Sequence, residues 1–203
     1  MDTSLSNHSS DCNEHCWDLI IYRVPTEPAS KRVSIWRDFK RIGALSLQQC
    51  VFILPHLQLL TEEISTIKNK INEMGGEVMH ITIPTLAPAD EEKTILSFRQ
   101  QRNQDYREIL EECESSFIQE IEFERFRHNY AFEAVEEAEQ NLEKIRRWYT
   151  RIVERDWFHA ELQSQASQRI VECQHMLEGF EREVYEQENA AQNESSSAEE
   201  EES

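Results

Sequence analysis

Apolar and polar positions follow different patterns in the two halves of the chain. Residues 18–25 form a β-branched and aromatic run that ends at a proline, which predicts a buried strand. From Ser30 to Gly43 the apolar positions follow helical spacing, and the glycine predicts the end of that helix. We expect the apolar stripe of this helix to consist of Val33, Ile35, Trp36, Phe39 and Ile42.

Further extended stretches and a second helix complete the first half. Residues 44–54 are long enough for one bent strand or two short ones. Residues 60–74 place apolar side chains at intervals of four and three before a double glycine, and residues 77–83 form a last strand. With two strands in the middle, the order is βαββαβ. This predicts a ferredoxin-like α+β domain whose antiparallel sheet carries both helices on one face.

The second half is predicted to be an α-helical bundle of about three helices. It contains no proline, and Gly179 is its sole glycine. One apolar stripe covers residues 95–121, with Ser115 and Ser116 marking a place where the helix can break. A heptad seam covers residues 135–152, and a third stripe covers residues 166–184. Such stripes must be buried against one another or against the first domain.

Composition indicates a water-soluble, cytoplasmic protein. The chain has 203 residues, of which 40 are acidic and 21 basic, giving a net charge of −19. No uninterrupted aliphatic or aromatic run is longer than the four residues of the stretch 51–54, whereas a membrane-crossing helix needs about 20 apolar residues. The opening residues do not have the pattern of a secretory signal peptide. The five cysteines are an odd number without regular spacing, so we expect reduced thiols.

Charge is distributed unevenly and suggests the domain limits. Residues 1–16 carry three acidic and no basic residues, which predicts a disordered arm. Residues 17–89 carry eight basic and seven acidic residues and form the predicted α+β domain. Residues 90–188, the predicted bundle domain, carry 25 acidic and 13 basic residues. Residues 189–203 add five acidic residues with nothing to bury, which predicts a disordered acidic tail.

A local basic cluster is the first candidate site. It lies on the first strand and first helix, where Glu27 and Asp38 provide little opposing charge. Arginine forks suit DNA phosphates or a dianionic oxyanion. The alternative is the solvated face of an amphipathic helix, and the charge of −19 opposes DNA at long range. The candidate residues are Arg23, Lys31, Arg32, Arg37, Lys40 and Arg41.

Two weaker candidates lie elsewhere. Arg99, Arg102, Asp105 and Tyr106 on the first long helix can form either a ligand pocket or interdomain salt bridges. The amino-terminal segment offers soft metal ligands with suitable spacing, although a reduced, disordered arm is the simpler interpretation. These metal candidates are His8, Cys12, His15 and Cys16. Common phosphate-binding, zinc-protease and serine-hydrolase motifs are absent, so we expect neither enzymatic activity nor a cofactor.

Several stretches resemble the N-terminal domain of ChrB-type chromate-resistance regulators. In the first half they are the sequence WDLIIYRVPTEP over 17–28, VSIW over 33–36, RIGAL over 41–45, LQQCV over 47–51 and LP at 54–55. In the second half they are FRQQR over 98–102 with DY at 105–106, LEKIRRW over 142–148, and RDWF over 155–158. The resemblance covers about residues 17–187, and it is the combination of these stretches that is specific.

The resemblance implies a cytoplasmic, chromate-responsive transcriptional regulator. ChrB proteins usually carry a further C-terminal domain, so this sequence resembles a free-standing N-terminal module. If chromate sensing requires that C-terminal domain, the N-terminal module would not respond to chromate by itself. The first domain is also faintly similar to the ferredoxin-like small nucleases of CRISPR systems and to a domain of the phenylacetate-operon repressor. In those nucleases an aspartate follows the strand tyrosine, but here Arg23 follows Tyr22, and a cation cannot coordinate Mg²⁺.

Our first hypothesis is therefore a non-enzymatic regulator that contacts operator DNA or a chromate-like oxyanion. A protein partner or homodimer through the sheet edge or the helical seams is also expected. The alternative is a protein-interaction or assembly module that binds neither DNA nor chromate. A metal-dependent ribonuclease is disfavoured because of Arg23.

Overall fold

A computed structural model describes residues 16–201 of the chain, with side chains described for residues 16–190. The chain divides into two compact units, Met1–Ile95 and Leu96–Ser203. The division lies inside a helix, whereas the sequence suggested a limit after residue 89. The reason is that this helix already begins at Pro88, and proline is well tolerated in the first turn of a helix. Residues 1–15, the greater part of the predicted arm, lie outside the described residues.

The first unit is built on an antiparallel sheet. Within the described residues, four strands lie in the order β2-β3-β1-β4, so β1 pairs with both β3 and β4. The stretch 44–54 forms two strands, joined at Cys50, which has a φ of 65°. The α+β class and the βαββαβ order are therefore confirmed. The strands are β1 Trp17–Arg23, β2 Leu45–Gln48, β3 Val51–Pro55 and β4 Glu77–Ile83.

Two helices connect these strands: α1, Ala29–Arg41, and α2, Thr61–Glu73. Aromatic side chains attach α1 to the sheet, because the ring of Phe39 stacks on Phe52 with centroids 4.5 Å apart. The two helices are linked by an ion pair in which Lys70 Nζ lies 2.5 Å from Asp38 Oδ2. This pair neutralises the acidic side chain of α1.

The prediction that Val33 and Trp36 face the core is wrong. Ile35 and Phe39 are fully buried, but Val33 is 45% exposed and Trp36 is 47% exposed. An α-helix turns by about 100° per residue, so Val33 lies about 200° around the axis from Ile35. The two apolar side chains therefore lie outside the arc that the sheet covers, and they form part of the outer surface of α1.

The second unit is helical, as predicted. Helix α3, Pro88–Glu112, continues into a π-helical segment at Cys113–Ile118, which contains the predicted break at Ser115 and Ser116. A single inserted turn of this kind keeps the chain helical while shifting the phase of its side chains. The remaining helices are α4 Gln119–Phe126, α5 Phe132–Val153 and α6 Gln163–Glu201.

The predicted apolar seams form the core of the helical unit. All six stripe residues of α6 are buried, as are Ala138, Leu142, Ile145 and Ile152 of α5. Cys113 and Cys173 are buried in this core, and the cysteines that the structure describes are all free thiols. The α6 stripe consists of Ala166, Ile170, Cys173, Leu177, Phe180 and Val184.

The carboxyl-terminal end differs from the predicted disordered tail. Helix α6 continues to Glu201, beyond the expected limit at residue 188. Alanine, glutamine and glutamate are good helix formers, and residues 189–201 contain neither glycine nor proline, so nothing in this stretch terminates the helix. Among the described helices, none is long and apolar enough to cross a membrane.

Candidate anion-binding site

The outer face of α1 combines exposed aromatic and basic side chains. We use the name "outer face" for Val33, Trp36, Arg37, Lys40 and Arg41, which are spaced to lie on the solvent side of the helix. Arg37 and Arg41 are exposed, and Lys40 Nζ lies 5.8 Å from the ring centre of Trp36. A cation over an indole is attracted by the ring quadrupole, so Lys40 is oriented along the same surface as Trp36.

The other basic candidates have structural roles or lie apart. Lys31 Nζ donates a hydrogen bond to the carbonyl oxygen of Met74 at 3.1 Å, which satisfies a carbonyl at the end of α2. Arg23, at the end of β1, is 81% exposed and lies 3.5 Å from Glu77 on β4. Arg32 is half-buried. The predicted six-residue cluster is thus narrowed to the three cations of the outer face, with Arg23 as an exposed cation on the sheet.

The second candidate cluster holds α3 to the α5–α6 loop. Arg99 Nε donates to the carbonyl oxygen of Phe158 at 2.8 Å. Asp105 Oδ2 lies 3.0 Å from Arg102 Nη1 and 3.1 Å from Arg155 Nη2, so one carboxylate serves two guanidinium groups. Burial lowers the pKa of Arg102, and its neighbour Arg155 acts in the same direction, while Asp105 opposes both. We call these residues the α3–loop network.

Tyr106 extends this network through a buried aspartate. Its hydroxyl donates to Asp156 Oδ2 at 3.1 Å, and both oxygens of Asp156 accept from the backbone N–H of Ala160, again at 3.1 Å. Burial, together with the negative charge of Asp156, raises the pKa of Tyr106 strongly. The phenol therefore remains a hydrogen-bond donor at any physiological pH.

These contacts change the interpretation of the second candidate. The sequence left open a ligand pocket or interdomain salt bridges, but every contact described above lies within the helical unit. The residues are joined across the chain because the α5–α6 loop returns to α3, which no local pattern indicates. Their contacts fix the α5–α6 loop on α3, which is a structural role.

A further cluster, which sequence analysis missed, surrounds Asp18 on β1. The carboxylate is 2% exposed and accepts from His80 Nε2 at 2.8 Å, His56 Nδ1 at 2.9 Å and Thr82 Oγ1 at 3.0 Å. Burial alone raises the pKa of Asp18. The hydrogen bonds from His80, His56 and Thr82 outweigh that effect and leave the pKa below its ordinary value.

The signal for this cluster is the pairing register of the sheet. Thr82 lies directly opposite Asp18, and His80 lies two positions away on the same face of β4. These residues are more than 60 positions apart in the chain, so only the strand pairing brings them together. An ionised carboxylate that accepts from three side chains is a stable structural element at the end of the sheet.

The metal candidates fall at the edge of the described structure. His8, Cys12 and His15 lie outside the described residues, whereas Cys16 is a half-buried free thiol. In the part of the chain that the structure covers, no group of three or more His, Cys, Asp or Glu side chains is arranged to hold a metal ion. The reduced arm that the sequence favours over a metal site therefore stays a prediction.

The family described as "Protein ChrB, N-terminal" matches residues 32–191 of the chain. The matched stretch begins within α1. It includes the outer face, the side chains that donate to Asp18 and the α3–loop network. The chain belongs to this family. It is similar to Protein ChrB of Cupriavidus metallidurans, with 25% identity over 103 residues, which are 51% of this chain and 31% of that protein. The match thus spans about a third of the ChrB relative. No solved structure matches the chain.

Proposed function

We propose that this ChrB N-terminal domain acts as a transcriptional regulator in chromate resistance and contacts DNA through the outer face of α1. The observation that carries the proposal is the exposed set formed by Trp36, Arg37 and Arg41, with the half-buried Lys40 beside Trp36. Arginine and lysine neutralise phosphates, and an exposed aromatic ring adds an apolar contact with sugars or bases. Family membership supports the resistance role.

Local charge favours this contact in spite of the overall charge. The carboxylate of Asp38, the acidic residue of α1, is engaged by Lys70, so it does not cancel the neighbouring cations. At an ionic strength of about 0.1 M the Debye length is about 10 Å, so repulsion between DNA and acidic side chains farther away than this is largely screened. The net negative charge should therefore slow the approach of DNA from a distance, whereas contact between phosphates and the cations of α1 should be favourable.

Fluorescence anisotropy with a labelled duplex from the region upstream of the chain's own reading frame tests the proposal. The double variant R37E/R41E reverses two exposed cations and should weaken binding at least about tenfold, since each lost charge-assisted contact is worth about 1 kcal/mol or more. The matched control is R107E/K144E, which makes the same charge change at exposed positions of α3 and α5. The control should change affinity by less than about twofold, apart from the effect of net charge.

The oxyanion response needs its own measurement. Titration of the protein with sodium chromate, with sodium sulfate as a control of similar shape and charge, should show whether chromate alters the affinity for the duplex. If chromate does not change the affinity for the duplex, the proposed oxyanion response is wrong. If R37E/R41E binds DNA as the wild type does, the outer face is not the DNA contact. If R107E/K144E loses as much DNA affinity as R37E/R41E, the loss in both variants results from the change in net charge and not from a contact at the outer face.

A further inference from the structure

The helical unit has an apolar groove with an acidic rim. The groove, of about 370 Å³, lies between the start of α5 and the second half of α6, and we call it the α5–α6 groove. Its largest apolar side chains are open to solvent, since Phe132 is 51% exposed and Tyr185 is 63% exposed. The remaining lining residues are Val135, Glu181, Arg182 and Glu186.

The rim of this groove carries excess negative charge. Burial raises the pKa of Glu181, and the neighbouring carboxylates of Glu139 and Glu178 raise it further. Arg182 lies in the lining, but its Nε donates to the backbone oxygen of Glu178 at 3.1 Å. A partner that brings cations to this rim would relieve the repulsion between carboxylates, whereas an acidic partner would increase it.

The two ends of this chain do not have the composition to fill the groove. Residues 1–15 carry three acidic and no basic residues, and residues 191–203 carry five acidic and no basic residues. Either segment would bring negative charge to an acidic rim and offer few apolar side chains. The occupant must instead combine large apolar side chains with lysine or arginine on one face.

The outer face of α1 has that composition. Val33 and Trp36 are exposed apolar side chains, and Arg37, Lys40 and Arg41 follow them at helical spacing. We propose that the outer face of α1 of one copy docks in the α5–α6 groove of a second copy. Trp36 would enter between Phe132 and Tyr185, and the three cations would meet the acidic rim.

Physical considerations support Trp36 as the centre of this contact. A buried aromatic side chain removes roughly 150–250 Å² from water, and tryptophan, tyrosine and arginine dominate the energetics of interfaces. Because the two surfaces differ, the contact is heterologous: the copy that docks its α1 keeps a free groove, and the copy that receives it keeps a free α1. Association should therefore continue beyond a dimer as concentration rises, unless a ring closes.

Charge reversal with rescue tests the proposal. Sedimentation velocity at about 0.1 M salt should show weight-average mass rising with wild-type concentration. In R37E/R41E both the outer face of α1 and the rim of the α5–α6 groove are acidic. In E181R/E186R both surfaces are basic. Like charges repel, so each variant should remain monomeric when it is alone. An equimolar mixture pairs the acidic α1 of the first variant with the basic groove of the second, and the basic α1 of the second with the acidic groove of the first. The mixture should recover association.

Controls separate this contact from folding, net charge and DNA binding. E73K/E154K makes a comparable charge change at exposed helix ends and should associate like the wild type. W36A should weaken association at least about tenfold while far-UV circular dichroism remains unchanged. E181R/E186R should lose association without losing DNA binding, which distinguishes failure of this contact from failure of the proposed function.

Three outcomes would overturn the proposal. The first is a monomeric wild type up to about 1 mM. The second is association that survives both charge reversals, and the third is a mixture that remains monomeric. If the wild type is monomeric but a synthetic peptide of residues 29–42 binds and E181R/E186R abolishes that binding, the groove accepts a basic helix from a different protein and not from a second copy.

Discussion

The carboxylate of Asp18 lies 2.8 Å from His80 Nε2, and this pair joins the first and last strands of the sheet. Because the pKa of Asp18 is below its ordinary value of 3.8, the ionised form stabilises the fold. This stabilisation is present above about pH 4 and is lost as the pH falls through the folded-state pKa. The acid stability of the first unit should therefore depend on Asp18.

The substitution D18N should lower the free energy of unfolding by about 1–3 kcal/mol at pH 5, since it leaves buried donors without their ionised acceptor. Urea unfolding followed between pH 5 and pH 2.5 should show this difference shrinking toward low pH, because the wild type loses its own carboxylate charge. T82V removes one of the donors that lower the pKa of Asp18 but keeps the carboxylate, so its stability should still depend on pH, less strongly than that of the wild type. A difference for D18N that stays constant to pH 2.5 contradicts this account.

Asp105 and its two arginines give an asymmetric prediction. D105N removes the carboxylate shared by Arg102 and Arg155 and should cost about 3–5 kcal/mol, because Arg102 is left as a buried cation. R102M should cost less, since Asp105 keeps its pair with Arg155 and the methionine fills much of the vacated space. Chemical denaturation of both variants measures the order, with the exposed R107M as control. Equal losses would show that the shared carboxylate is not the essential element.

Gly75 and Gly76, after α2, should respond differently to alanine. A Cβ at Gly76 would lie 2.5 Å from the backbone oxygen of Arg23 and 2.9 Å from Val24 Cγ1, so strands β1 and β4 would have to separate. Gly75 has a φ of 76° and open space around the Cβ position, so G75A should cost only the backbone strain of about 1–2 kcal/mol. G76A should cost about 3 kcal/mol or more. Thermal unfolding that ranks G75A as the more damaging change would contradict the described packing.

Trp36 and Phe39 lie on the same helix but should differ in their effect on stability. F39A removes a buried ring that stacks on Phe52 and should cost about 3–5 kcal/mol. W36A removes a half-exposed ring and should cost less than about 1 kcal/mol. Urea unfolding of the two variants provides the comparison. A large loss in W36A would mean that this ring belongs to the core and is not available to a partner.

Much of the fold could be predicted from local pattern. The stripe of α6 and the buried positions of α5 repeat at intervals of three, four and seven, and burial follows this periodicity directly. The prediction for α1 is wrong at Val33 and Trp36 because burial depends on angular position relative to Ile35 and Phe39 and not on apolar character alone. Apolar side chains of this 13-residue helix that lie outside its buried arc, such as Val33 and Trp36, are therefore exposed.

The clusters of polar residues were less accessible to sequence reasoning. The sequence pattern indicates that Arg102, Asp105 and Tyr106 take part in polar contacts. It does not indicate their partners Arg155 and Asp156, which lie in a loop 50 residues further along the chain. Asp18 gave no signal of its own, because its histidine and threonine neighbours are defined only by strand register. Long-range pairing of this kind depends on the completed sheet and not on local spacing.

The salt dependence of DNA affinity tests the central claim most directly. Each phosphate contact contributes about −0.9 to the slope of log affinity against log salt concentration. If Arg37 and Arg41 contact phosphates, the slope for R37E/R41E should be less steep than the wild-type slope by about 2, while the control R107E/K144E keeps the wild-type slope. Equal slopes for wild type and R37E/R41E, measured over 50–200 mM salt, would contradict a DNA contact through the outer face of α1.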